Sequence, residues 1–304
     1  MKENKDLINI FIAHIQVEKQ YSIQTIRAYL NDLNEFTKIA AGKENRSLLE
    51  ATEIDVENYL NYLNRKGDER NTILRKISAV RSFYNYLIKT DVTKNQPFEY
   101  VHLKKKQNRL PKFLYPNEIK ELFKSAHNGT NETLIPRNVA ILELLFSTGL
   151  RVSECAGLTL AKLDFDNRIM DILGKGSKQR YVPFSPETRQ ALKNYLRTTR
   201  PTLMQKYHQD HDTLFVNNHG APLTSRGIEY ILDSILKNSS LDSNIYPHMF
   251  RHTFATDMLN NGADLRSVQE LLGHSSLSTT QIYTHVTKEN LLKNYNQFFP
   301  RSKD

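Results

Sequence analysis

The chain has 304 residues, which is long enough for two domains with a sizeable core. Lysine and arginine number 42 against 33 aspartates and glutamates, and the resulting net charge of +9 suits a polyanionic partner. Cys155 is the single cysteine, so an intramolecular disulfide is excluded. No uninterrupted apolar run approaches the roughly 18 residues of a membrane-spanning helix, and the N-terminus lacks the apolar core of a signal peptide. We therefore expect a cytoplasmic protein.

Residues 1–92 are predicted to form an all-helical domain. Apolar residues recur there at helical spacing in four stretches. Ser22 is a favourable N-cap for the second helix. The fourth helix is predicted from about residue 71 to residue 89, and its outward-facing cations are Arg75, Lys76 and Arg81. These cations form either a solvated face or a surface that contacts a polyanion.

Residues 93–112 are predicted to be a linker between two domains. Pro97 interrupts regular structure near its start, and a basic run covers residues 104–109. Such a run is either a soluble spacer or a tether that follows the phosphates of a nucleic acid. Both interpretations stay open.

A buried helix is predicted near the start of the second domain, residues 113–304. Residues 138–146 are almost wholly apolar, which indicates a helix in the core. This helix leads to Arg151 through the sequence Thr-Gly-Leu-Arg. Glu154 follows three residues later, close enough either to hold the Arg151 guanidinium in place or to form an ordinary surface ion pair.

A β-hairpin is predicted between residues 164 and 184. Two short segments of strand character flank the glycine-rich turn of residues 174–178. Lys175 at such a tip can swing into a neighbouring site. The turn also resembles part of a phosphate-binding loop, but the full Walker spacing is absent and a strand follows rather than a helix, so nucleotide binding is rejected. Two further helices are predicted, at residues 186–204 and 225–236.

Four polar side chains stand out against an apolar, helix-patterned background in residues 247–285: His248, Arg251, His274 and Tyr283. His248 and Arg251 are three residues apart and share one face of a helix. His248 with His252 could instead ligate zinc, although no glutamate follows His248 and there is no cysteine cluster. Two imidazoles, a guanidinium and a phenol without a carboxylate favour an anion, and a phenol among cations can act as a nucleophile toward phosphate.

Together these motifs resemble those of the tyrosine recombinase (phage integrase-like) family, and of its Xer subgroup in particular. The resemblance covers nearly the whole chain, and six catalytic positions occur in the family's order: Arg151, Lys175, His248, Arg251, His274 and Tyr283. It implies a mainly α-helical protein with a small β-sheet, in which a helical, SAM-like core-binding domain that clamps DNA precedes the catalytic domain. The C-terminal segment is more similar to the XerC branch of the subgroup than to the XerD branch.

The family's chemistry implies that Tyr283 attacks a DNA phosphodiester, forms a 3′-phosphotyrosyl intermediate and frees a 5′-hydroxyl. The other expected roles are charge neutralisation by Arg151 and Arg251, general acid catalysis by Lys175, general base catalysis by His248, hydrogen bonding to the phosphate by His274 and support by Glu154. No metal ion or other cofactor is implied.

The resemblance also implies partners. Double-stranded DNA with a dif-like site is the expected substrate, and its recombination would resolve chromosome dimers during chromosome segregation. The expected assembly on DNA is a tetramer, with a paralogous XerD-like recombinase and under the control of an FtsK-like translocase. The predicted terminal helix, residues 289–299, would dock on a neighbouring protomer. The expected DNA contacts of the first domain are Arg27, Lys76 and Arg81.

Three alternatives share part of this pattern. A phage or transposon integrase has the same chemistry, but often carries an additional N-terminal domain. A type IB topoisomerase-like enzyme would relax supercoils without exchanging strands between duplexes. A DNA-binding protein that has lost catalysis would be expected to lack at least one of the six catalytic positions.

Overall fold

A computed structural model of the protein describes residues 2–19, 21–42, 46–101, 113–173, 179–241, 245–273 and 288–302. The chain divides into two compact units, Met1–Asn108 and Arg109–Asp304. Within the described ranges, no helix is both long enough and apolar enough to cross a membrane.

The described part of the first unit consists of helices joined by short connections. The helices are α1 (Lys2–Val17), α2 (Ile23–Ala40), α3 (Glu53–Arg65) and α4 (Arg70–Lys89). Ser22 is the N-cap of α2, as predicted, and its Oγ accepts a hydrogen bond from the backbone N–H of Thr25 at 3.2 Å. Fully buried aromatic rings fill the centre of the unit: Phe11, Phe36, Tyr59, Phe83 and Tyr84. Burial of each such side chain stabilises the fold by about 1.5–3 kcal/mol.

Residues 93–101 pack on this helical unit. Phe98 is fully buried, and its ring centroid lies 5.3 Å from that of Phe36. Arg81 of α4 donates from Nη2 to the Phe98 carbonyl oxygen at 2.7 Å. The first part of the segment predicted as a linker therefore belongs to the helical unit, because an aromatic side chain ties it to the core.

Lys76 of α4 is buried, with only 6% of its surface exposed. Its ammonium group donates to Glu35 of α2 at 2.5 Å and to Asp68 at 2.6 Å. Two carboxylates thus compensate the charge, which is the condition under which a lysine can be buried. The prediction that Lys76 lies on the outer face of α4 is wrong, because helical spacing does not show that two carboxylates stand opposite it.

Helices and one small sheet form the described part of the second unit. Its helices are α5 (Pro116–His127), α6 (Ile135–Thr148), α7 (Val152–Ala156), α8 (Pro186–Arg197), α9 (Thr199–Lys206), α10 (Ser225–Lys237), α11 (Pro247–Asn260), α12 (Leu265–Leu272) and α13 (Lys288–Phe298). The strands β1 (Leu163–Asp164), β2 (Ile169–Leu173) and β3 (Gln179–Pro183) pair antiparallel in that order. Every residue of α6 from Val139 to Thr148 is buried, as predicted. The predicted fold class, mainly helical with a small sheet, is confirmed.

The C-terminal helix α13 packs on its own unit. The Tyr295 ring is fully buried against Phe254 and Phe299, and its hydroxyl donates to the Ser147 carbonyl at 2.9 Å. Arg301 then pairs with Glu143 of α6 at 2.8 Å. The predicted docking of this helix on a neighbouring protomer stays a prediction. In the single chain, β3, α11 and α12 of the same unit contact α13.

Candidate active site

Gly149 ends α6 and turns the chain towards Arg151. Its φ of +60° is left-handed, and a Cβ atom there would lie 2.8 Å from Phe254 Cδ1 and 2.9 Å from Leu272 Cδ2. Only glycine fits both the backbone and the space. The tight turn brings Arg151 to the N-cap of α7 and brings the end of α6 against α11 and α12.

Arg251 of α11 joins the C-terminal ends of two helices. Its Nη1 donates to the Gly149 carbonyl at the end of α6 at 2.8 Å, and its Nη2 donates to the Leu272 carbonyl at the end of α12. Helix C-terminal carbonyls lack partners within the helix and carry partial negative charge, so a guanidinium suits both. Arg251 is only 7% exposed, and burial, followed by repulsion from Arg151, lowers its pKa to about 10. The guanidinium is held rigidly.

Arg151 lies beside Arg251 and is held mainly by Glu154. Its Nη1 donates to Glu154 Oε1 at 2.8 Å, and its backbone N–H donates to Glu154 Oε2 at 2.8 Å. Nη2 also reaches the Gly273 carbonyl at 3.5 Å. The Arg151 side chain remains 35% exposed, so this guanidinium is oriented yet accessible to a ligand.

Arg180 of β3 is the second anchor of Glu154. Its Nη1 and Nη2 donate to the two carboxylate oxygens at 2.9 Å each, and its Nε donates to the Leu271 carbonyl of α12 at 3.1 Å. A parallel fork of this kind is the strongest geometry for a guanidinium and a carboxylate. Gly273 leaves the room for it, because a Cβ there would lie 2.9 Å from Arg180 Cδ. Arg180 thus connects the sheet to α7 and α12.

The Glu154 carboxylate is charged in this surrounding. Its side chain is only 6% exposed, and burial by itself disfavours ionisation. Hydrogen bonds from Arg180 and then from Arg151 outweigh burial and hold the pKa of Glu154 below its usual value. Sequence reasoning assigned Glu154 a supporting role but gave Arg180 none. The only signal was its position two residues after the glycine-rich turn of residues 174–178, which does not show what it contacts.

His248 lies one turn before Arg251, in the first turn of α11, and its side chain is exposed. His252 is also exposed, and burial, followed by His248 and Arg251, lowers the pKa of His252. Across the described residues, no group of three carboxylate, imidazole or thiol side chains could hold a metal ion. An accessible imidazole therefore stands on the same helix as the buried guanidinium.

Three predicted site residues, Lys175, His274 and Tyr283, lie outside the described residues. The described residues on either side of Lys175 and just before His274 lie close to the arginine cluster, which consists of Arg151, Arg180 and Arg251. Leu173 pairs with Gln179 where the hairpin leaves the sheet, next to Arg180. Gly273, the residue before His274, offers its carbonyl to Arg151.

The three predicted DNA contacts of the first unit have different surroundings. Arg27 of α2 is exposed. Arg81 is half-buried, and its guanidinium donates to the carbonyls of Phe98 and Val101. Lys76 is buried between carboxylates. Arg27 is therefore the one of the three whose side chain is open to solvent.

Comparison with known proteins identifies the family of the chain. The chain matches the phage integrase family over residues 112–290 and the phage integrase N-terminal SAM-like domain over residues 8–91. It is 51% identical over 295 residues to the tyrosine recombinase XerC of Lacticaseibacillus casei (strain BL23), covering 97% of this chain and 98% of that protein. The chain therefore belongs to the phage integrase family, as a XerC-like tyrosine recombinase that acts in site-specific DNA recombination. The prediction of the family and of the XerC branch is confirmed.

Solved structures show the same architecture. The XerH site-specific recombinase bound to a palindromic difH substrate, in a post-cleavage complex, is 25% identical with a TM-score of 0.65, and the match covers 91% of this chain and 81% of that chain. The Tn1549 transposon integrase in complex with a circular intermediate DNA has a TM-score of 0.68 at 18% identity, covering 95% of this chain and 94% of that chain. The second likeness is one of fold alone.

Proposed function

We propose that the protein cuts and rejoins DNA through a covalent bond to Tyr283 and that it resolves chromosome dimers at a dif-like site. One observation carries the proposal: Arg151 and Arg251 come from different elements, yet bind adjacent carbonyls, those of Gly273 and Leu272. These carbonyls immediately precede His274. Two guanidinium groups therefore meet where the segment that contains His274 and Tyr283 begins.

In the proposed reaction the Tyr283 oxygen attacks phosphorus and becomes bonded to the 3′-phosphate, while the bond to the 5′-oxygen breaks. Lys175 donates a proton to that leaving oxygen, and His248 accepts the proton of the Tyr283 hydroxyl. A 5′-hydroxyl from another strand then reverses the attack, releases the tyrosine and restores a phosphodiester. The phosphotyrosyl bond keeps the energy of the phosphodiester that was broken, so the proposed reaction needs no high-energy cofactor.

Arg151 and Arg251 would neutralise the non-bridging oxygens as charge develops on the phosphoryl group, with His274 as a further donor. Each pre-positioned donor of this kind is worth roughly 10²–10³-fold in rate. Arg251 is fixed by two carbonyls and Arg151 by Glu154, so neither has to reorganise when the substrate binds.

The proposed DNA substrate is based on what a structural relative binds. One structural relative, the XerH recombinase, was solved bound to difH DNA, which supports a dif-like site as the substrate of this protein. We also propose a tetramer on DNA that pairs this chain with an XerD-like paralogue under an FtsK-like translocase. With chromosomal DNA as substrate, the protein would act in the cytoplasm.

The test is a nicked suicide duplex with a dif-like site, incubated with the protein in EDTA. A covalent adduct on a denaturing gel is expected for wild type and none for Tyr283→Phe. Tyr100→Phe is the matched control, because it removes an exposed phenol (71% exposed) in the helical unit and should leave the adduct unchanged.

Other outcomes reject parts of the proposal. An adduct that persists in Tyr283→Phe rules out the nucleophile. Relaxation of supercoiled DNA without exchanged strands indicates a topoisomerase-like enzyme. DNA binding without an adduct, even after an XerD-like paralogue is added, indicates a DNA-binding protein without catalysis.

A further inference from the structure

A pocket with a mixed polar and apolar lining lies at the other end of α6 from the cluster of Arg151, Arg180 and Arg251. Its volume is about 350 Å³, and α5, the start of α6, α10 and residues 217–219 line it. Arg137 in the wall precedes Gly149 by 12 helical residues, a distance of roughly 18 Å at 1.5 Å per residue. The pocket is therefore separate from the residues proposed for recombination.

Arg137 is a buried cation whose hydrogen-bond partners are all neutral. Only 3% of the residue is exposed. Its Nε and Nη2 donate to Asn138 Oδ1 at 3.1 and 3.0 Å, and its Nη1 donates to Asn218 Oδ1 at 2.9 Å and to the Val216 carbonyl at 3.2 Å. No carboxylate of the described residues accepts from it. A buried charge without a counter-ion is costly, so the site favours an anion.

The asparagines around Arg137 add hydrogen-bond donors to the same pocket. A guanidinium only donates, so the amide atoms that face it must be the oxygens of Asn138 and Asn218. Their NH₂ groups therefore point away from Arg137. The Oδ1 atom of Asn217 also accepts, from the backbone N–H groups of His219 and Ala221, which leaves its NH₂ group as a donor. All three asparagines line the pocket, which thus combines one cation with several amide donors.

We infer that this pocket binds a carboxylate group, presented by an acidic side chain of a partner polypeptide. One negative charge balances the one cation, whereas a phosphate monoester with about two charges would be only partly balanced. The methylene groups of such a residue can pack against the apolar side chains that line the pocket: Leu134, Leu223, Ile231 and Ile235. Tyr230 stands in the wall with 75% of its surface exposed, which offers the aromatic contact that protein interfaces favour.

One substitution can fill the site from within. Asn138→Asp keeps the size of the side chain and places a carboxylate on the Arg137 guanidinium, which neutralises the pocket and removes an amide donor. The folded protein should be at least as stable as wild type, because the buried charge gains a partner. Asn61→Asp is the matched control, since it makes the same change of charge on an exposed position of α3.

The experiment titrates the ¹⁵N-labelled full chain with N-acetyl-glutamate α-amide and observes the side-chain amide resonances of Asn217 and Asn218, which single Asn→Ser variants assign. N-acetyl-glutamine α-amide and inorganic phosphate are titrated in parallel at constant ionic strength. We expect saturable shifts with the glutamate probe, and at least about tenfold weaker binding of the glutamine probe, because a charge-assisted hydrogen bond is lost.

Binding of the glutamate probe to three variants tests whether the probe occupies the Arg137 pocket. Asn138→Asp should bind the glutamate probe at least about tenfold more weakly, whereas Asn61→Asp should match wild type. Tyr230→Ala should weaken binding severalfold without lowering the melting temperature. Absence of a saturable shift, equal binding of the two peptide probes, or unchanged binding in Asn138→Asp would overturn the inference. Phosphate binding that is tighter than glutamate binding would overturn the choice of a carboxylate.

Discussion

Replacing Arg180 by methionine tests whether this residue organises the arginine cluster. The change removes two hydrogen bonds of 2.9 Å to Glu154 and one of 3.1 Å to the Leu271 carbonyl. Both members of the ion pair are buried, with side chains 12% and 6% exposed. Removing one partner of a buried pair costs about 3–5 kcal/mol. Glu154 keeps its bonds to Arg151, so we expect a loss near the lower end, about 3 kcal/mol.

The measurement is urea and thermal unfolding of the full chain. A loss of about 3 kcal/mol in a unit of this size corresponds to a fall of about 9 °C in the melting temperature of the second unit. Arg197→Met, which removes an exposed arginine of α8, is the control and should change stability by less than about 0.5 kcal/mol. Adduct formation by the folded variant should also slow, by up to about 10²-fold, because Arg151 loses the rigid carboxylate that orients it.

A double-mutant cycle measures the interaction energy of the Arg180–Glu154 pair separately from the loss of packing that each single substitution causes. Glu154→Gln combined with Arg180→Met should be less destabilising than the sum of the two single changes by at least about 1 kcal/mol, since neither charge is then left alone. Two independent, additive losses would refute the coupling, as would a loss below about 1 kcal/mol for Arg180→Met alone.

Three further predictions concern other parts of the chain. Burial raises the pKa of Asp257 to about 6, so its carboxylate destabilises the folded state above that pH and not below the unfolded value of about 3.9. Asp257→Asn should therefore add about 1–3 kcal/mol at pH 7.5 and little at pH 3.5 in urea melts, and an equal gain at both values would contradict this titration. Gly149→Ala should cost at least about 2 kcal/mol by thermal melting, because strain and a clash combine, whereas Gly67→Ala, with φ +78° and open space, should cost only about 1 kcal/mol. Arg27→Ala should reduce the salt slope of DNA binding by about 0.9, while Lys76→Met should destabilise the first unit by about 3 kcal/mol with the slope of the folded protein unchanged. A changed slope for Lys76→Met would show that this lysine reaches phosphate.

Local patterns predicted the helices well because their causes are local. The apolar run of residues 138–146 identified the buried α6, and Ser22 identified the start of α2. Arg151 and Glu154 are three residues apart, so their contact could be expected from the spacing alone. These features depend on spacing along one element, which a sequence displays directly.

Contacts between distant elements were not predictable in the same way. Lys76 was expected outside because its own helix gave no sign of Glu35, which lies 41 residues earlier. Arg180 reaches Glu154, 26 residues before it, and Leu271, 91 residues after it. Such pairings depend on how separate elements pack, so periodicity cannot reveal them. The apolar face of the C-terminal helix likewise does not specify which chain covers it.

The position of Arg251 has a consequence for how substrate and folding are linked. The free protein holds this guanidinium in a buried place where its charged form is disfavoured, with carbonyl dipoles in place of a counter-ion. A phosphate group that binds there relieves the penalty only in the folded state. By mass action, the substrate then acts as a stabilising ligand of the catalytic unit, by RT ln(1 + [L]/Kd). A DNA phosphate thus supplies the counter-ion that Arg251 lacks in the free protein. The contacts that Arg251 makes between α6, α11 and α12 should therefore be most stable when the recombinase is bound to its substrate.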